Sequence, residues 1–324
     1  MRLAALLVRR SAQAAIVVAL VATLTFFLIH LAPGDPLANI RELHGVPPEV
    51  IQALEQRYGL DRPATEQYAS YVAGLLRGDL GWSHQFGMPV ADAILSRLPG
   101  TLLLMGTAIV VSFALGILLG VLQAVRRGSP FDRATRALSI LFHSVPSFWL
   151  AIVVLMVFAY WLDVLPTGRS ADPLAYLQPF WWRLGDRLAH LALPALTLVL
   201  LTTAGIARHQ RAAMLDVLPE DYVRTATAKG VPARQVVARH ALRNALLPVI
   251  TLLGLALPAL VGGTVLVEQV FSWHGMGTLL VGAIQSRDYL LLTGCVIVGS
   301  ALVVTGSLLA DALSAMADPR LRAD

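Results

Sequence analysis

The stretch ALLPVITLLGLALPALVGGTVLV, residues 245–267, contains 23 residues and no Asp, Glu, Lys or Arg. At a rise of about 1.5 Å per residue, a helix of this length crosses the roughly 30 Å hydrocarbon core of a membrane. Five other stretches, each 20 to 25 residues long, share this character. They are Ala12–Leu31, Thr101–Val125, Leu138–Leu162, Leu188–Ala207 and Tyr289–Ala310. The sequence therefore predicts six membrane-spanning helices.

The composition of the 324 residues agrees with a membrane protein and excludes several other classes. Hydrophobic residues make up 56% of the chain and charged residues only 14%, which is unlike a soluble domain. Cys295 is the only cysteine, so the chain has no disulfide framework and no cysteine-based zinc or iron–sulfur cluster. The net charge of +5 comes from basic residues near the ends of the apolar stretches, so nucleic-acid binding is not predicted.

The Lys and Arg residues predict the orientation of the chain. Six spans put both termini on one side, and with the amino terminus inside, the inner segments hold 16 of the 25 basic residues. The short outer segments hold 4, while residues 32–100 exceed the length of about 60 residues within which this rule is reliable. We expect both termini to be cytoplasmic. The first apolar stretch exceeds the usual h-region of about 7–15 residues, so it is predicted to be a retained anchor.

The outer segment 32–100 contains helical patterns of its own. One helix is predicted from Pro47 to Gly59, and a second from an N-cap at Thr65 to Gly78. A third, short and amphipathic, is expected to break at Pro99. These helices predict a small cap on the outer membrane surface, and a purely structural elaboration is the alternative.

Interior prolines occur in three of the predicted spans, at Pro146, Pro194 and Pro258. Proline removes a backbone donor, and a membrane tolerates the freed carbonyl only where protein or a water-filled cavity satisfies it. A translocation path lined by Pro146, Ser147, Pro258 and Gly262 is therefore one hypothesis. Simple packing kinks are the other.

The six apolar stretches contain no Asp or Glu. Carriers driven by an ion gradient usually place a carboxylate within the membrane, so a passive channel or an externally powered transporter is favoured. In the second stretch, Gly116, Gly120 and Ala124 recur at intervals of four residues, which predicts a close helix contact.

The longest inner segment, 208–244, carries seven basic residues. A helix is predicted over Asp221–Lys229, Gly230 ends it, and Pro232 begins another. The result is a helix–glycine–helix elbow with both an apolar and a basic surface. Such an elbow suits a protein partner, and attraction to anionic lipid headgroups is the alternative.

The elbow sequence DYVRTATAKGVPARQVVARHALRNALLPVI, residues 221–250, resembles the cytoplasmic loop of permease subunits of binding-protein-dependent ABC importers, in the dipeptide, oligopeptide and nickel group. Six other segments resemble the same group in the same order. They are LTFFLIHLAPGDPL (24–37), YGLDRPATEQYASYVAGLLRGDLGWS (58–83), SVPSFWL (144–150), HLALPALTL (190–198), VEQVFSWHGMG (267–277) and ADPRLR (317–322). Three positions depart from the pattern: Arg224 and Thr225 replace the glutamate and the first alanine of the wider loop motif, and His274 stands where proline is common.

The resemblance implies an all-α membrane protein with the type I ABC importer permease fold, six transmembrane helices and a small extracytoplasmic helical cap between helices one and two. It implies three sequential segments. These are an anchor helix at 1–31, the cap at 32–100, and a five-helix permease core at 101–324 with the cytoplasmic coupling loop 208–244. The coupling loop would dock on an ATPase. The residues implied for that coupling are Arg224, Thr225, Ala226, Lys229 and Gly230.

The same resemblance implies the partners and the location of the chain. The chain would lie in a bacterial inner membrane beside lipid. It would assemble with a second similar permease, two cytoplasmic ATPases and an extracytoplasmic substrate-binding protein. ATP and magnesium would be bound by the ATPases, and short peptides would be the cargo. Nickel chelates and glutathione are alternative cargoes for this group, and a self-contained homo-oligomeric channel is the alternative of another class.

Enzymatic activity is not predicted for this chain. A P-loop requires Gly-x-x-x-x-Gly-Lys-Ser/Thr, and the only lysine, Lys229, is followed by Gly230. The sequence also lacks a Gly-x-Ser-x-Gly elbow, a His-Glu-x-x-His motif and paired carboxylates. No catalytic residue, metal site or resident cofactor is therefore expected.

Overall fold

A computed structural model describes the backbone of residues 2–31, 47, 49, 52 and 61–317. Side-chain surroundings are described for 11–31, 47, 49, 52, 61–253, 264–309 and 312. The described chain is almost entirely helical. The helices are α1 (Arg2–Leu31), α2 (Ala64–Leu76), α3 (Val90–Val125), α4 (Pro130–Ser144), α5 (Ser147–Leu155), α6 (Phe180–Val217), α7 (Asp221–Ala228), α8 (Ala233–Gln235), α9 (Leu242–Ala245), α10 (Leu247–Val270), α11 (Met276–Gln285) and α12 (Tyr289–Ala317).

Short irregular elements complete the described part of the chain. A π-helical segment, Met156–Trp161, continues α5, and a second one, Val236–Ala241, joins α8 to α9. A 3₁₀ turn covers Ala175–Leu177. Strands β1 (Trp82–Ser83) and β2 (Met88–Pro89) form an antiparallel hairpin just before α3, which the sequence analysis did not predict.

Four described helices are long and apolar enough to cross a membrane by themselves, and two further bent pairs would bring the number of spans to six. The four single spans are Ser11–Leu31, Val90–Val125, Phe180–Val217 and Tyr289–Leu309. The all-α fold and the six predicted spans agree with this pattern.

The predicted third span is not one continuous helix. α4 meets the helix formed by α5 and its π-helical continuation, Ser147–Trp161, at an angle of 109°. The break lies at Val145 and Pro146, both with extended backbone. Proline disfavours the helical conformation of the residue before it and has no N–H to donate, so the helix stops at Ser144 and restarts at Ser147. The kink predicted at Pro146 in the span 138–162 is therefore a complete break of the helix.

The predicted fifth span begins after a smaller bend of 49° at Leu246. Pro248 lies in the first turn of α10, where the missing proline N–H has no intrahelical partner to lose. At its other end α10 continues to Val270, three residues beyond the last residue of the apolar stretch.

The predicted break at Pro99 is absent, because α3 runs without interruption from Val90 to Val125. Val90 and Ile94 are buried on one side of Pro99, and Leu104 is buried on the other. Packing on both sides of the proline outweighs the lost backbone hydrogen bond and the ring clash, which together cost about 3 kcal/mol inside a helix.

The chain forms two compact units. The first contains Met1–Ser11, Gly100–His274 and Leu302–Asp324. Its described core is built from α3, α5, α6 and the end of α10, with Leu104, Leu150, Leu193, Leu198 and Phe271 among its buried residues.

The second unit contains Ala12–Pro99 and Gly275–Ala301. Its main cluster joins the start of α3 to α11 and α12 through Val90, Ile94, Leu279 and Leu291. This grouping differs from the sequential anchor, cap and core segments expected from the resemblance, which stay a prediction. The reason is that α11 and the start of α12 pack on residues before Gly100, far away in sequence.

Part of the predicted cap lies within the second unit. α2 matches the second predicted helix, although Pro63 and not Thr65 occupies its N-cap position. The Tyr68 and Tyr71 rings pack on Phe26 of α1, and the Tyr68 hydroxyl lies 2.9 Å from the hydroxyl of Thr23. The helix predicted from Pro47 to Gly59 falls almost entirely outside the described residues.

Candidate functional site

The predicted elbow is present and is ended by a glycine in a left-handed conformation. α7 begins at Asp221 and ends at Ala228, with Lys229 as its C-cap. Gly230 follows with φ of +78°, a conformation that residues with a Cβ rarely adopt. The Gly230 N–H donates to the Thr227 carbonyl at 3.0 Å. The chain therefore turns sharply toward Pro232 and α8.

One face of α7 is buried within the chain itself. Val223 and Ala226 are 4% and 7% exposed and pack with Val236. Val217 and Val231 cover the same cluster. Because it is enclosed by these side chains, Ala226 supports the elbow from within and is not part of its exposed surface.

The other predicted coupling residues lie together on the exposed surface of the elbow. Arg224, Thr225, Lys229 and Gly230 are all exposed. Arg224 Nη1 lies 3.8 Å from Asp221 Oδ1, and both side chains are more than three-quarters exposed. An exposed pair at this distance contributes little stability, so the Arg224 guanidinium is available to a partner.

The elbow is fixed to the helix that follows it. The Asn244 side-chain amide donates to the Tyr222 hydroxyl at 2.7 Å, which joins α7 to α9. Arg234, Arg239 and Arg243 are exposed on the same stretch of chain. The elbow is therefore joined to α9 and carries a basic surface.

Two of the four predicted path residues lie at the break between α4 and α5. Pro146 is the N-cap of α5 and is exposed, and Ser147 is half-buried beside it. Pro258 and Gly262 lie within α10, where the surroundings of their side chains are not described. α5 packs against α10 near the end of that helix, through Leu150 and Val154 on one side and Val267 on the other.

A buried ion pair holds α6 in place before the elbow. Asp132 is 1% exposed, and its two carboxylate oxygens accept hydrogen bonds from Nε and Nη2 of Arg211, each at 2.9 Å. The hydrogen bond from Arg211, assisted by the Gly128 N–H and by Arg136 and opposed by burial, lowers the pKa of Asp132 to about 2. Since Arg211 precedes the elbow by ten residues of chain, the pair anchors the helix that leads into it.

The sequence alone does not predict the Asp132–Arg211 pair. Ser129 accepts a hydrogen bond from the Asp132 N–H, and this Ser-Pro-x-Asp pattern is a recognisable helix start. The pattern signals the cap, but nothing in it identifies a partner 79 residues away.

The small-residue stripe predicted in the second span forms a close contact with α6. A Cβ on Gly116 would lie 2.6 Å from Ile206 Cβ, and one on Gly120 would lie 2.7 Å from the Ala207 carbonyl oxygen. The predicted helix contact is confirmed. The contact also encloses Gln210, which is 0% exposed and whose amide atoms have no hydrogen-bond partner among the described residues.

A buried carboxylate lies at the far end of α10. Glu268 is 0% exposed, and its Oε1 accepts a hydrogen bond from the Thr101 hydroxyl at 2.7 Å. No carboxylate lies within the predicted spans, because the fifth charge-free stretch ends at Val267. The helix continues through Glu268 to Val270, so the absence of Asp and Glu from the apolar stretches does not by itself exclude a gradient-driven carrier.

The segment after Glu268 is held by contacts to two other parts of its unit. Trp273 is 2% exposed, and its indole N–H donates to the Gly100 carbonyl at 3.1 Å. The His274 backbone N–H donates to the Ser170 hydroxyl at 2.7 Å. A proline at position 274 has no N–H, so this hydrogen bond depends on the departure from the group pattern.

Comparison with known proteins identifies the family. The family described as "Binding-protein-dependent transport system inner membrane component" matches residues 116–323, and its N-terminal companion matches residues 3–105. The chain belongs to this permease family. The larger family match covers the elbow, the broken third span and the end of α10 of this inner-membrane permease.

Relatives of this permease extend over nearly all of its length. It is 38% identical to the oligopeptide transport system permease protein AppB of Bacillus subtilis over 98% of this chain and 99% of that protein. It is 37% identical to the dipeptide transport system permease protein DppB of Escherichia coli K12 over 92% of this chain and 93% of that protein.

A solved structure shares the fold of this permease. A chain of the inward-facing MetNI methionine ABC transporter matches 69% of this chain and 95% of its own length, with a TM-score of 0.57 and 17% identity. The expected type I importer permease fold is confirmed. Among the described residues of this permease, no group of three or more His, Cys, Asp or Glu side chains is placed to hold a metal ion.

Proposed function

We propose that this permease forms part of the translocation path of an ATP-driven importer for short peptides. The observation that supports the cargo is the similarity, over nearly the whole chain, to permeases named for oligopeptide and dipeptide transport. A second permease of similar fold would enclose the other side of the path. Two ATPases would bind on the cytoplasmic side, and a substrate-binding protein would deliver the peptide from outside.

The elbow would transmit movement between the ATPases and the membrane helices. Arg224, Thr225, Lys229 and Gly230 would form its docking surface, because they are exposed around one sharp turn. Ala226 would act differently, as a packing residue that keeps α7 fixed to the rest of the chain. Since the Asp132–Arg211 pair joins α6 to α4, a displacement that α7 passes to α6 would also reach α4.

Energy would come from the partner ATPases, since this chain contains no P-loop sequence. Both termini and the elbow would be cytoplasmic. The break at Pro146 and Ser147, together with Pro258 and Gly262 of α10, would lie beside the path. Proline-interrupted helices are tolerated in membranes where they border a cavity or other protein, which supports this placement.

Replacement of Gly230 with leucine tests the coupling role. A bulky L-residue at φ near +78° costs about 1–2 kcal/mol, so Gly230→Leu should distort the docking surface. We expect ATP-driven peptide uptake to fall by about tenfold, which corresponds to a loss of about 1.4 kcal/mol in the docking of the elbow on the ATPase. Assembly with the ATPases is measured separately, by copurification. Wild-type uptake in this variant would contradict the coupling role.

The matched control is Gly78→Leu. Gly78 also follows the C-cap of a helix, with φ of +77°, and a Cβ added there would have no atom within 4 Å beyond its chain neighbours. The same backbone strain is therefore introduced away from the elbow. Uptake in this control should stay within about twofold of the wild type. An equal loss in both variants would indicate general destabilisation.

The cargo and the rival channel function are tested with the complete complex in vesicles. Labelled di- and tripeptides should accumulate only with ATP and the binding protein, and unlabelled peptides should compete for uptake. Competition by a nickel chelate or by glutathione, and not by peptides, would replace the cargo while leaving the importer intact. Peptide flux by this chain without ATP would instead support a homo-oligomeric channel.

A further inference from the structure

A groove of about 300 Å³ lies between the end of α1 and the turn that joins α11 to α12. Thr25, Leu28 and Ile29 form one wall, and Ile284 and Leu292 contribute to the other. Leu28 and Ile284 are 65% and 54% exposed. The groove is therefore an open, mainly apolar surface within the second unit.

The groove lies at the ends of two membrane spans. Thr25, Leu28 and Ile29 belong to the last two turns of α1, which ends at Leu31. Tyr289 and Leu292 belong to the first turn of α12. Both helices are apolar enough to cross the membrane, so their ends lie where hydrocarbon meets the headgroup region. A molecule bound in the groove must therefore have an apolar part that contacts the groove and a polar part that faces the headgroup region.

Arg287 supplies a positive charge at the edge of the groove. It is exposed, and it forms no ion pair with any of the described acidic residues. Its neighbour Asp288 is 1% exposed and is already engaged, because it accepts hydrogen bonds from the Ser83 hydroxyl at 2.6 Å and the Gln85 N–H at 3.1 Å. The Arg287 charge is therefore available to an external anion.

The backbone around Arg287 is fixed. Its φ is +54°, and the next residue, Asp288, donates its N–H to the Ala283 carbonyl at 2.9 Å. Asp288 also caps α12, since its Oδ1 accepts from the Leu291 N–H at 3.1 Å. The buried Asp288 thus holds the turn that presents Arg287 beside the groove.

We propose that the groove binds one phospholipid, with an acyl chain between α1 and α12 and the phosphate on the Arg287 guanidinium. Arginine forms paired hydrogen bonds with phosphate oxygens, and an apolar groove in the membrane is filled by hydrocarbon. In the proposed topology Arg287 lies at the outer ends of the two spans, at the level where the phosphate of an outer-leaflet phospholipid can meet its guanidinium. This site goes beyond the transport function and does not depend on which cargo is carried.

Lipid retention by the purified complex tests this site. The complex with its partner subunits is extracted from its native membrane, washed extensively in mild detergent, and analysed for bound phospholipid by mass spectrometry and phosphate assay. The wild type should retain phospholipid that washing does not remove. Arg287→Gln and Leu28→Trp, which remove the charge and occupy the groove, should each retain one phospholipid fewer per chain.

Arg187→Gln is the matched control. Arg187 is also an exposed arginine close to the start of a membrane span, but it does not line the groove. This control should retain the wild-type amount of lipid. Re-addition of phospholipid to the washed complex should raise the melting temperature of the wild type and of Arg187→Gln, and not of Arg287→Gln.

Three results would overturn the proposal. Wild-type lipid retention in both groove variants would do so, and so would an equal loss in Arg187→Gln. A cross-linker placed at Leu28 that captures the second permease, with no lipid difference among the variants, would show that protein covers the groove. Because retention is measured without substrate or ATP, a failure of the peptide-import proposal would leave this outcome unchanged.

Discussion

At the scale of single residues, the fold depends strongly on the buried Asp132–Arg211 pair, because either charge is destabilising without its partner. Breaking a buried ion pair leaves one charge without its partner, which typically costs about 3–5 kcal/mol. We expect Asp132→Asn to lower the free energy of unfolding by about 3 kcal/mol, because Arg211 is 17% exposed and recovers some solvation. Thermal and denaturant unfolding in detergent measure this loss.

The exposed Asp221–Arg224 pair provides the control for that substitution. Asp221→Asn removes a carboxylate from a 3.8 Å contact in which both side chains are largely exposed. The expected change is below about 1 kcal/mol. Arg211→Met combined with Asp132→Asn should recover part of the stability lost in Asp132→Asn, since neither partner is then a buried, unpaired charge. Equal effects of Asp132→Asn and Asp221→Asn would contradict the structural role of the buried pair.

The Asp132–Arg211 pair also predicts that the stability of the chain depends on pH. The pKa of Asp132 falls from an ordinary value of 3.8 to about 2 in the folded chain, so its contribution is complete above the ordinary value. That contribution is lost as the pH falls through about 2. The stability difference between the wild type and Asp132→Asn should therefore shrink as the pH falls from the ordinary pKa of 3.8 through about 2. Unfolding of both proteins measured at several pH values between about 5 and 2 tests the direction.

At the scale of helices, the contact between α3 and α6 depends on the absence of two side chains. A Cβ on Gly120 would lie 2.6 Å from Gln210 Cβ and 2.9 Å from the Arg211 backbone nitrogen. The backbone atoms cannot move aside without separating the helices. We expect Gly120→Ala to lower the free energy of unfolding by about 1–3 kcal/mol, the usual cost of overpacking.

Gly106→Ala is the control within the same helix. A Cβ added at Gly106 would meet no atom within 4 Å, and alanine is the better helix former by about 1 kcal/mol. This variant should be as stable as the wild type or slightly more stable, as measured by thermal unfolding in detergent. If Gly120→Ala matched Gly106→Ala, the close approach of the two helices would not occur in the protein.

The helices also show what sequence patterns can and cannot predict. Charge-free stretches located the spans and glycine spacing located the α3–α6 contact, because both signals are local in the chain. The continuous α3 at Pro99 was missed, since packing on both sides of that proline outweighs its local preference. At Pro146 the local preference of proline prevails, so the helix breaks by 109° where the sequence predicts only a kink. Proline chemistry is the same in both places, and tertiary packing determines the result.

Some features of the candidate site could likewise be predicted from local sequence, and others could not. The elbow and its left-handed Gly230 follow from local sequence, so they were predictable. The burial of Ala226 depends on Val236 beyond the turn, and the partners of Asp132 and Glu268 lie 79 and 167 residues away. A single sequence shows no signal that pairs such distant side chains. These contacts required the folded chain.

At the scale of the whole molecule, the distribution of charge predicts how the chain is inserted. The inner segments of the proposed topology hold 16 basic residues, against 4 in the short outer segments. Gln178 and Gln235 are both exposed and uncharged, so replacing either with cysteine leaves this balance unchanged. Gln178 lies in a proposed outer segment, and Gln235 lies on α8 of the elbow.

Cysteine labelling in intact cells measures this orientation directly. The native Cys295 is buried and is first replaced with alanine to remove background. A membrane-impermeant maleimide should then label Gln178→Cys in intact cells, and label Gln235→Cys only after the cells are made permeable. The reverse pattern would place the elbow outside the cell, where it could not meet an ATPase. Because the basic elbow, the two termini and the short basic loop at Arg126 and Arg127 must all lie on one side, a single reversal would contradict the whole proposed arrangement.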